Sequence, residues 1–384
     1  MLDYYHYTKD PSYNDVVIEA LLAPTNLGDK MDYVPKEHAD EEGNDDLFFW
    51  GSAVLSAAER NFPQPNEDLP SWLQIAENVF NSLVSRWNID DKCGGGLLWQ
   101  IYADNPNGLT YKNSVSNGGF FQLSARLARA TGNDTYLEWA EKIFDWSLES
   151  GLIDKDRYRI YDGVDTDDHC FQVNYQSFTY TSGIYLYGAA VLANHTEEKT
   201  WFDRAEKLLD GGDWYFSPYK NATDIMYEGG CEGYGTCTVD MSTHKAVLSR
   251  FMWQTTLMMP SLRNDIERKL HASAKAAANS CTGGDNERTC GLKWYTGGYD
   301  NSPGLGQQMN ALETIQGLLI HDTDPPLSGN AIKTVRNTDW KPLDTYAPDP
   351  KPKEEPKDGK DDDGKKDDKG DEDDDDEEDS GHSC

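Results

Sequence analysis

The stretches TYLEWAEKIFD at 135–145 and TWFDRAEKLLD at 200–210 share one pattern, which also occurs as SWLQIAENVFN at 71–81. Weaker copies begin at Ser12 and Ser261, so the five starts lie 59, 64, 65 and 61 residues apart. In each copy, apolar residues follow a Ser or Thr at helical spacing. The repeat predicts five amphipathic helices of one class, each capped by its Ser or Thr.

A second class of helix, rich in small and aromatic residues, precedes most of these copies. Its predicted members lie at 2–7, 45–60, 117–131, 178–193, 242–258 and 304–320. Their apolar residues surround the helix, which predicts burial on all sides. A two-helix unit repeating at this length predicts an all-α toroid of helical hairpins, with the small-residue helices inside. Since the pattern shows six inner and five outer helices, we expect the chain to lack the first helix and most of the second.

Connections from outer to inner helices are long, and in a toroid they emerge on one face, where sites are usually built. Polar residues cluster where the inner helices begin on that face. They are Asn44-Asp45-Asp46, Lys112 and Asn113 with Asn117, Thr179 and Tyr180, Lys245 with Arg250, and Gly306-Gln307-Gln308. Aromatic residues near them are Trp50, Trp99, Tyr102, Phe120, Phe121, Trp294 and Tyr299. Rings beside amides and carboxylates suit a sugar, so the pattern favours a carbohydrate cleft.

The adjacent carboxylates Asp45 and Asp46 are the candidate catalytic pair. Glycoside cleavage commonly uses two carboxyl groups, which lie about 5 Å apart in retaining enzymes. Two like charges this close also raise one pKa, as a general acid requires. The alternative is that these aspartates only cap a helix. A second acidic motif, DTDD at 165–168, matches the DxDD of terpene cyclases, but it falls in a predicted polar loop and is the weaker candidate.

Charge and composition divide the chain. From Pro350 onward there are 17 acidic and 7 basic residues and no aromatic residue, which predicts a disordered acidic tail at 350–384 after an extended linker at 326–349. Residues 1–325 form the predicted barrel domain. The net charge of −33 argues against nucleic acid as a partner, because such a chain repels phosphate. No Cys/His spacing indicates zinc, and we expect no metal and no cofactor.

Seven cysteines and three glycosylation sequons, at Asn133, Asn194 and Asn221, favour an oxidising compartment, although the first residues do not read as a signal peptide. Short loop closure predicts the disulfides Cys231–Cys237 and Cys281–Cys290, with Cys93–Cys170 as a third pair and Cys384 left free.

Several stretches together resemble glycoside hydrolase family 76, and in particular its fungal branch of Dfg5/Dcw1-like cell-wall proteins. They include GNDDLFFWGSAVLSAAERNFP from Gly43, CGGGLLWQIY from Cys93, YDGVD from Tyr161, MYEGGCEG from Met226, HKAVLSRF from His244 and KWYTGGYDNSPGLGQQMNALE from Lys293. The resemblance runs in order from Met1 to about residue 322. It implies an (α/α)6 barrel, in agreement with the hairpin count.

The resemblance also implies an activity, retaining cleavage of α-1,6-linked mannose in mannan or GPI glycans, with Asp45 as nucleophile and Asp46 as acid/base. The residues that match family positions in or near the cleft are Trp99, Lys112, Asn113, Asn117, Asp162, Tyr180, Lys245, Arg250 and Gln307. It implies an extracellular location, at the cell wall or at the outer surface of the plasma membrane, with peripheral association there. Two alternatives stay open: a transglycosylase with wall glucan as acceptor, and a non-catalytic mannan-binding scaffold.

Overall fold

The computed structural model describes residues 1–35, 41–64, 68–103, 105, 109–217 and 219–336. Within these residues the helices form two concentric rings. The inner helices are α1 (Leu2–Thr8), α4 (Asn44–Glu59), α6 (Ser114–Thr131), α8 (Thr179–Thr196), α10 (His244–Met258) and α12 (Leu305–Gln316). The outer helices are α2 (Asn14–Leu22), α5 (Trp72–Arg86), α7 (Asp134–Glu149), α9 (Lys199–Gly211) and α11 (Arg263–Ser280), and a short helix, α3 (Pro24–Leu27), follows α2. The predicted (α/α)6 arrangement is confirmed.

The two classes of helix differ in burial as their sequences predict. In α8 every residue from Thr181 to Ala193 is buried, whereas α9 buries one face through residues such as Trp201 and Leu208. Gly183 lets α8 approach α10 closely, since a Cβ there would lie 2.9 Å from the Cα of Leu248. Small residues in the inner helices therefore allow the inner ring to pack tightly.

The predicted helix caps are correct only in part. Ser71 caps α5 by accepting a hydrogen bond from the Gln74 N–H at 3.3 Å. In contrast, α7 is capped by Asn133, whose side-chain oxygen accepts from the Thr135 N–H at 3.0 Å. The helices whose patterns begin at Ser12, Thr200 and Ser261 have no side-chain cap. Apolar periodicity identifies the buried face of a helix, but it does not identify the first residue of the helix.

A small antiparallel sheet, which the sequence did not indicate, joins two of the long loops. It consists of β1 (Tyr111–Asn113), β2 (Gly163–Asp165) and β3 (Val173–Asn174), in that order. Lys112 pairs with Val164, and Gly163 with Asn174. The sheet fixes the segment before α6 against the segment before α8, on the face where the inner helices begin.

All three predicted disulfides are present. Their Cα–Cα separations are 5.9 Å for Cys93–Cys170, 4.8 Å for Cys231–Cys237 and 3.7 Å for Cys281–Cys290. Each disulfide lies within the long loops or at the end of one. Cys384 lies outside the described residues.

The predicted domain boundaries remain predictions, since residues 337–384, with the acidic tail, lie outside the described part of the chain. Residues 326–336 of the predicted linker contact the barrel: the Leu327 N–H donates to the Glu59 carbonyl, and the Gln64 N–H to the Val335 carbonyl, both at 2.8 Å. Across the described ranges, no helix has the length and apolar character needed to span a membrane.

Candidate active site

Asp45 and Asp46 lie in the first turn of α4, and their carboxylates have different surroundings. Asp45 is partly buried, and its Oδ2 accepts a hydrogen bond from Trp99 Nε1 at 2.9 Å. Asp46 is exposed, and its Oδ2 accepts from the Gly43 N–H at 2.8 Å. Asp46 therefore caps the helix, whereas Asp45 is held by the ring of a distant residue.

The backbone explains why Trp99 reaches Asp45. The Asn44 N–H donates to the Trp99 carbonyl at 2.8 Å, and the Trp99 N–H donates to the Tyr111 carbonyl at 2.7 Å. These bonds tie the start of α4 to the loop before β1. Gly43 is also required, because a Cβ at that position would lie 2.2 Å from Asp45 Oδ1.

Burial and nearby negative charge raise the pKa values of the acidic groups here. Burial, and secondarily the Asp46 charge, raise the pKa of Asp45 to about 7, against the lowering effect of the Trp99 bond. The Asp46 carboxyl reaches solvent, yet the protein atoms around it displace enough water to raise its pKa, which the Gly43 N–H opposes. Glu42, which no sequence pattern indicated, has a pKa raised to about 7 by burial and by the charges of Asp46 and Glu41. The site can thus hold a proton near neutral pH, which a general acid needs.

Asp162 and Tyr180 belong to the same cleft as Asp45. Asp162 Oδ2 accepts hydrogen bonds from the Tyr111 hydroxyl at 2.6 Å and from Asn174 Nδ2 at 3.0 Å. Burial, followed by the charges of Asp162 and Asp45, raises the pKa of Tyr180 well above its usual range. Tyr180 is therefore close enough to Asp162 and to Asp45 for the charges of both to act on it.

Lys112, Asn113 and Asn117 support the cleft from beneath. Lys112 is fully buried, and its ammonium donates to Asp90 Oδ1, the Lys92 carbonyl and the Gly95 carbonyl at 2.7–2.9 Å. Asn113 caps α6. Asn117 exchanges hydrogen bonds with the backbone of Leu97 at 2.8 and 3.0 Å. Because Lys112 and Asn117 bind the backbone of the loop that leads to Trp99, they position that loop.

Lys245, Arg250 and Gln307 are not brought to the Asp45 carboxylate. Lys245 is buried, pairs with Glu232 at 2.8 Å and lies over the Trp294 ring. Arg250 pairs with Asp3 at 2.9 Å. Gln307, which is 8% exposed, folds back over Gly304. Their predicted contact with sugar stays a prediction without support from their present partners.

The remaining sequence candidates are mostly structural. Phe120, Phe121 and Trp294 are fully buried in the core, and Trp50 stacks on Tyr33 at 4.9 Å. In the DTDD motif, Asp165 Oδ1 accepts from the Asp167 N–H at 2.8 Å, as in an ordinary turn. Within the described ranges, no group of three or more His, Cys, Asp or Glu side chains could hold a metal ion.

His244, which no sequence pattern indicated, packs beside the cleft with two carboxylates next to it. The His244 ring stacks on Tyr180, with centroids 4.1 Å apart, and faces Asp240 and Glu228. Its sequence stretch, HKAVLSRF, carries part of the family resemblance, but the resemblance pointed to the lysine rather than to the histidine. The two residues are adjacent at the start of α10: Lys245 points into the core, whereas His244 lies beside Tyr180.

Comparisons with known proteins identify the family. The family model described as glycosyl hydrolase family 76 matches residues 1–330. The mannan endo-1,6-alpha-mannosidase DCW1 of Eremothecium gossypii is 44% identical over 329 residues, which cover 85% of this chain and 71% of that protein. The mannan endo-1,6-alpha-mannosidase DFG5 of Saccharomyces cerevisiae is 43% identical over 328 residues, covering 85% and 70%.

Solved structures give the same result. Dfg5 from Chaetomium thermophilum, in complex with glucosamine, superposes with a TM-score of 0.81 at 39% identity, covering 86% of this chain and 81% of that one. An inactive variant of the α-1,6-mannanase of Salegentibacter sp., in complex with α-1,6-mannotriose, has a TM-score of 0.64 at 21% identity, covering 83% and 86%, and shares the fold. With the family model matched over nearly all of the described barrel, the chain belongs to glycosyl hydrolase family 76 and is a glycoside hydrolase.

Proposed function

We propose that the chain is a retaining endo-α-1,6-mannosidase of mannan or GPI-glycan mannose, with Asp45 as nucleophile and Asp46 as general acid and base. The observation that carries the proposal is the Asp45 carboxylate, fixed by Trp99 next to Asp46 at the start of α4. The relatives' names support the substrate. In the Salegentibacter mannanase, a variant with asparagine at two consecutive aspartates is inactive, which supports a role for an adjacent pair.

In this mechanism Asp46 gives its proton to the glycosidic oxygen while Asp45 attacks the anomeric carbon. The bond from that carbon to the leaving sugar breaks, and an ester to Asp45 forms. Asp46 then takes a proton from water, which attacks the same carbon and releases Asp45. Exposure of Asp46 suits a group that must meet both the leaving sugar and water.

The pair must carry one proton to begin the reaction. In the free enzyme the higher pKa of Asp45 favours the proton on Asp45, and the reactive form has it on Asp46. Both forms have the same charge, so the pair titrates as a unit. We expect activity to fall as pH rises above about 7, where the pair loses this proton.

The proposal places the protein outside the cell, at the cell wall or at the outer surface of the plasma membrane. Three disulfides support an oxidising compartment, because such bonds rarely persist in the cytosol. A wall glucan acceptor would make the same intermediate a donor for transfer, with the sugar hydroxyl replacing water.

The test is incubation of the full chain with linear α-1,6-mannan, with and without a glucan oligosaccharide, reading reducing ends and transfer products. Asp45→Asn and Asp46→Asn should each lower turnover about 10²- to 10⁴-fold. Asp167→Asn, from the second acidic motif, is the matched control and should keep the parent rate. Near-parent rates in both site variants would contradict catalysis by the pair and favour the scaffold. Transfer products exceeding new reducing ends would identify a transglycosylase.

A further inference from the structure

His244, at the start of α10, has a carboxylate beside each ring nitrogen. Nε2 lies 3.3 Å from Asp240 Oδ2, and Nδ1 lies 3.4 Å from Glu228 Oε2. The histidine side chain is 6% exposed and that of Glu228 is fully buried. A neutral imidazole carries one N–H and can donate to only one of these acceptors, so the arrangement favours the doubly protonated, positively charged ring.

Glu228 is itself held in place and can orient the histidine. Its Oε2 accepts hydrogen bonds from the N–H and the hydroxyl of Thr179, at 3.0 and 2.7 Å, where α8 begins. Its own N–H donates to Glu232 Oε1 at 2.9 Å. The Cys231–Cys237 disulfide closes the same segment. The carboxylate is therefore part of a rigid element.

One face of the imidazole packs on the cleft. It stacks on the Tyr180 ring, at 4.1 Å and an interplanar angle of 21°. Burial raises the pKa of Asp162, and this rise is opposed first by the Tyr111 hydrogen bond and then by the positive charge of the imidazolium. Four titratable groups surround His244. They are Asp240, four residues before it, Glu228, near the Cys231–Cys237 disulfide, Tyr180 on α8, and Asp162, which precedes β2.

We propose that His244 is a positioning residue for the sugar: its imidazolium, oriented by Glu228, fixes the Tyr180 ring in the position that mannose contacts. This inference rests on the proposed function of the cleft. It predicts that His244 acts on substrate binding and that the proton transfers of Asp45 and Asp46 proceed without it.

The test compares His244→Gln with the double variant His244→Gln/Glu228→Gln. The single change leaves the buried Glu228 charge without its cation and can lower stability. The double change removes both charges, and the new amide oxygen can still accept from Thr179. Both variants should raise KM for α-1,6-mannan oligosaccharides at least about tenfold, with kcat within about threefold of the parent. If His244 merely neutralises Glu228, the double variant will recover the parent KM, and the proposal is overturned.

The pH dependence supplies a second readout. The two carboxylates raise the pKa of His244 above its ordinary value, so the charge is present at low pH and lost as pH rises through that pKa. The parent KM should therefore rise with pH, while the double variant keeps a high KM across the same range. The control, His195→Gln at the far end of α8, should leave KM and its pH dependence unchanged.

Nitrogen NMR of the unliganded chain separates the two proposals. At about pH 6.5, where an unperturbed histidine is half protonated, most His244 rings should carry protons on both nitrogens whether or not mannan is cleaved. A predominantly neutral ring there overturns this inference alone. A chain that neither binds nor cleaves mannan overturns the proposed function, irrespective of the state of the ring.

Discussion

Asp45 illustrates how one residue couples the cleft to the stability of the fold. Its pKa is raised from 3.8 to about 7, mainly by burial and then by Asp46. In the unfolded chain this carboxyl ionises at its ordinary pKa, so between about pH 4 and pH 7 the folded state binds more protons than the unfolded state. The contribution of Asp45 to stability therefore falls as pH rises through this window.

We expect Asp45→Asn to stabilise the protein at pH 8 by about 1–3 kcal/mol, because the amide removes a charge that folding buries. At about pH 3 the two proteins should have nearly equal free energies of unfolding, since the parent carboxyl is then mostly protonated in both states. Urea unfolding at both pH values measures this. Asp167→Asn serves as the exposed control, and a loss of stability at pH 8 in Asp45→Asn would contradict the burial argument.

The residues beside Asp45 show what a linear pattern can reveal. The pair itself was visible as adjacent carboxylates at a helix start. Tyr111 and His244 were not, because nothing local distinguishes a tyrosine at the start of β1, or a histidine at the start of α10, from other polar residues there. Their importance depends on contacts with Asp162 and Tyr180, which are distant in sequence.

At the scale of helices, the inner ring includes a buried ion pair between α4 and α6. Arg126, 1% exposed, donates to both oxygens of Glu59, with Nη2–Oε2 at 2.7 Å, and also to the hydroxyls of Ser52 and Ser56. The bidentate geometry satisfies much of the guanidinium, as a buried charge requires. The pair holds the C-terminal half of α6 against the C-terminal end of α4, far from the first turn of either helix.

Arg126→Met should lower the free energy of unfolding by about 3–5 kcal/mol, because Glu59 would remain buried without its cation. Adding Glu59→Met should recover much of that loss. Chemical denaturation of the single and double variants provides the measurement, and equal losses in both would show that the charges matter less than the packing. Mannan cleavage by the folded fraction should not change, since neither residue contacts the cleft.

Loops show the limits of reading one element at a time. Lys112 and Asn117 stand at the start of α6, where the family resemblance suggested sugar contact. The tertiary contacts instead direct them to the backbone of residues 92–97. A residue at the start of an inner helix can face the cleft, or it can bind the long loop that precedes the helix. Its position in the sequence does not show which of the two it does.

At the scale of the whole molecule, Asp3 of α1 links its own helix to α4 and α10. It is 2% exposed and pairs with Arg60, which follows α4, at 2.5 Å and with Arg250 of α10 at 2.9 Å. Although burial acts in the opposite direction, the two arginines lower the pKa of Asp3 from 3.8 to about 2. The group therefore stabilises the fold above about pH 4, and this contribution is lost as pH falls towards 2.

Asp3→Asn should reduce stability by about 3–5 kcal/mol at neutral pH, since two largely buried arginines lose their carboxylate. The difference from the parent should shrink between about pH 4 and pH 2, where the parent carboxyl takes up its proton. Urea midpoints at pH 6, 4 and 2.5 test both statements. Asp203→Asn, an exposed change on α9, should show no such trend, and a pH-independent loss in Asp3→Asn would indicate a packing effect.

The sequence alone showed the alternation of two helix classes, the face on which the long loops emerge, the two local disulfides and the aspartate pair, because each depends on residue types at short or regular spacing. The third disulfide, Cys93–Cys170, joins residues 77 positions apart and has no such local signal. The partners of the polar residues have no such signal either. Lys112, Lys245 and Arg250 are the cations predicted near inner-helix starts. Their respective partners are Asp90 and Glu232, which lie in long loops, and Asp3 of α1, and tertiary folding brings each partner near. Burial decides which charges must be paired, and burial is a property of the assembled barrel rather than of any single segment.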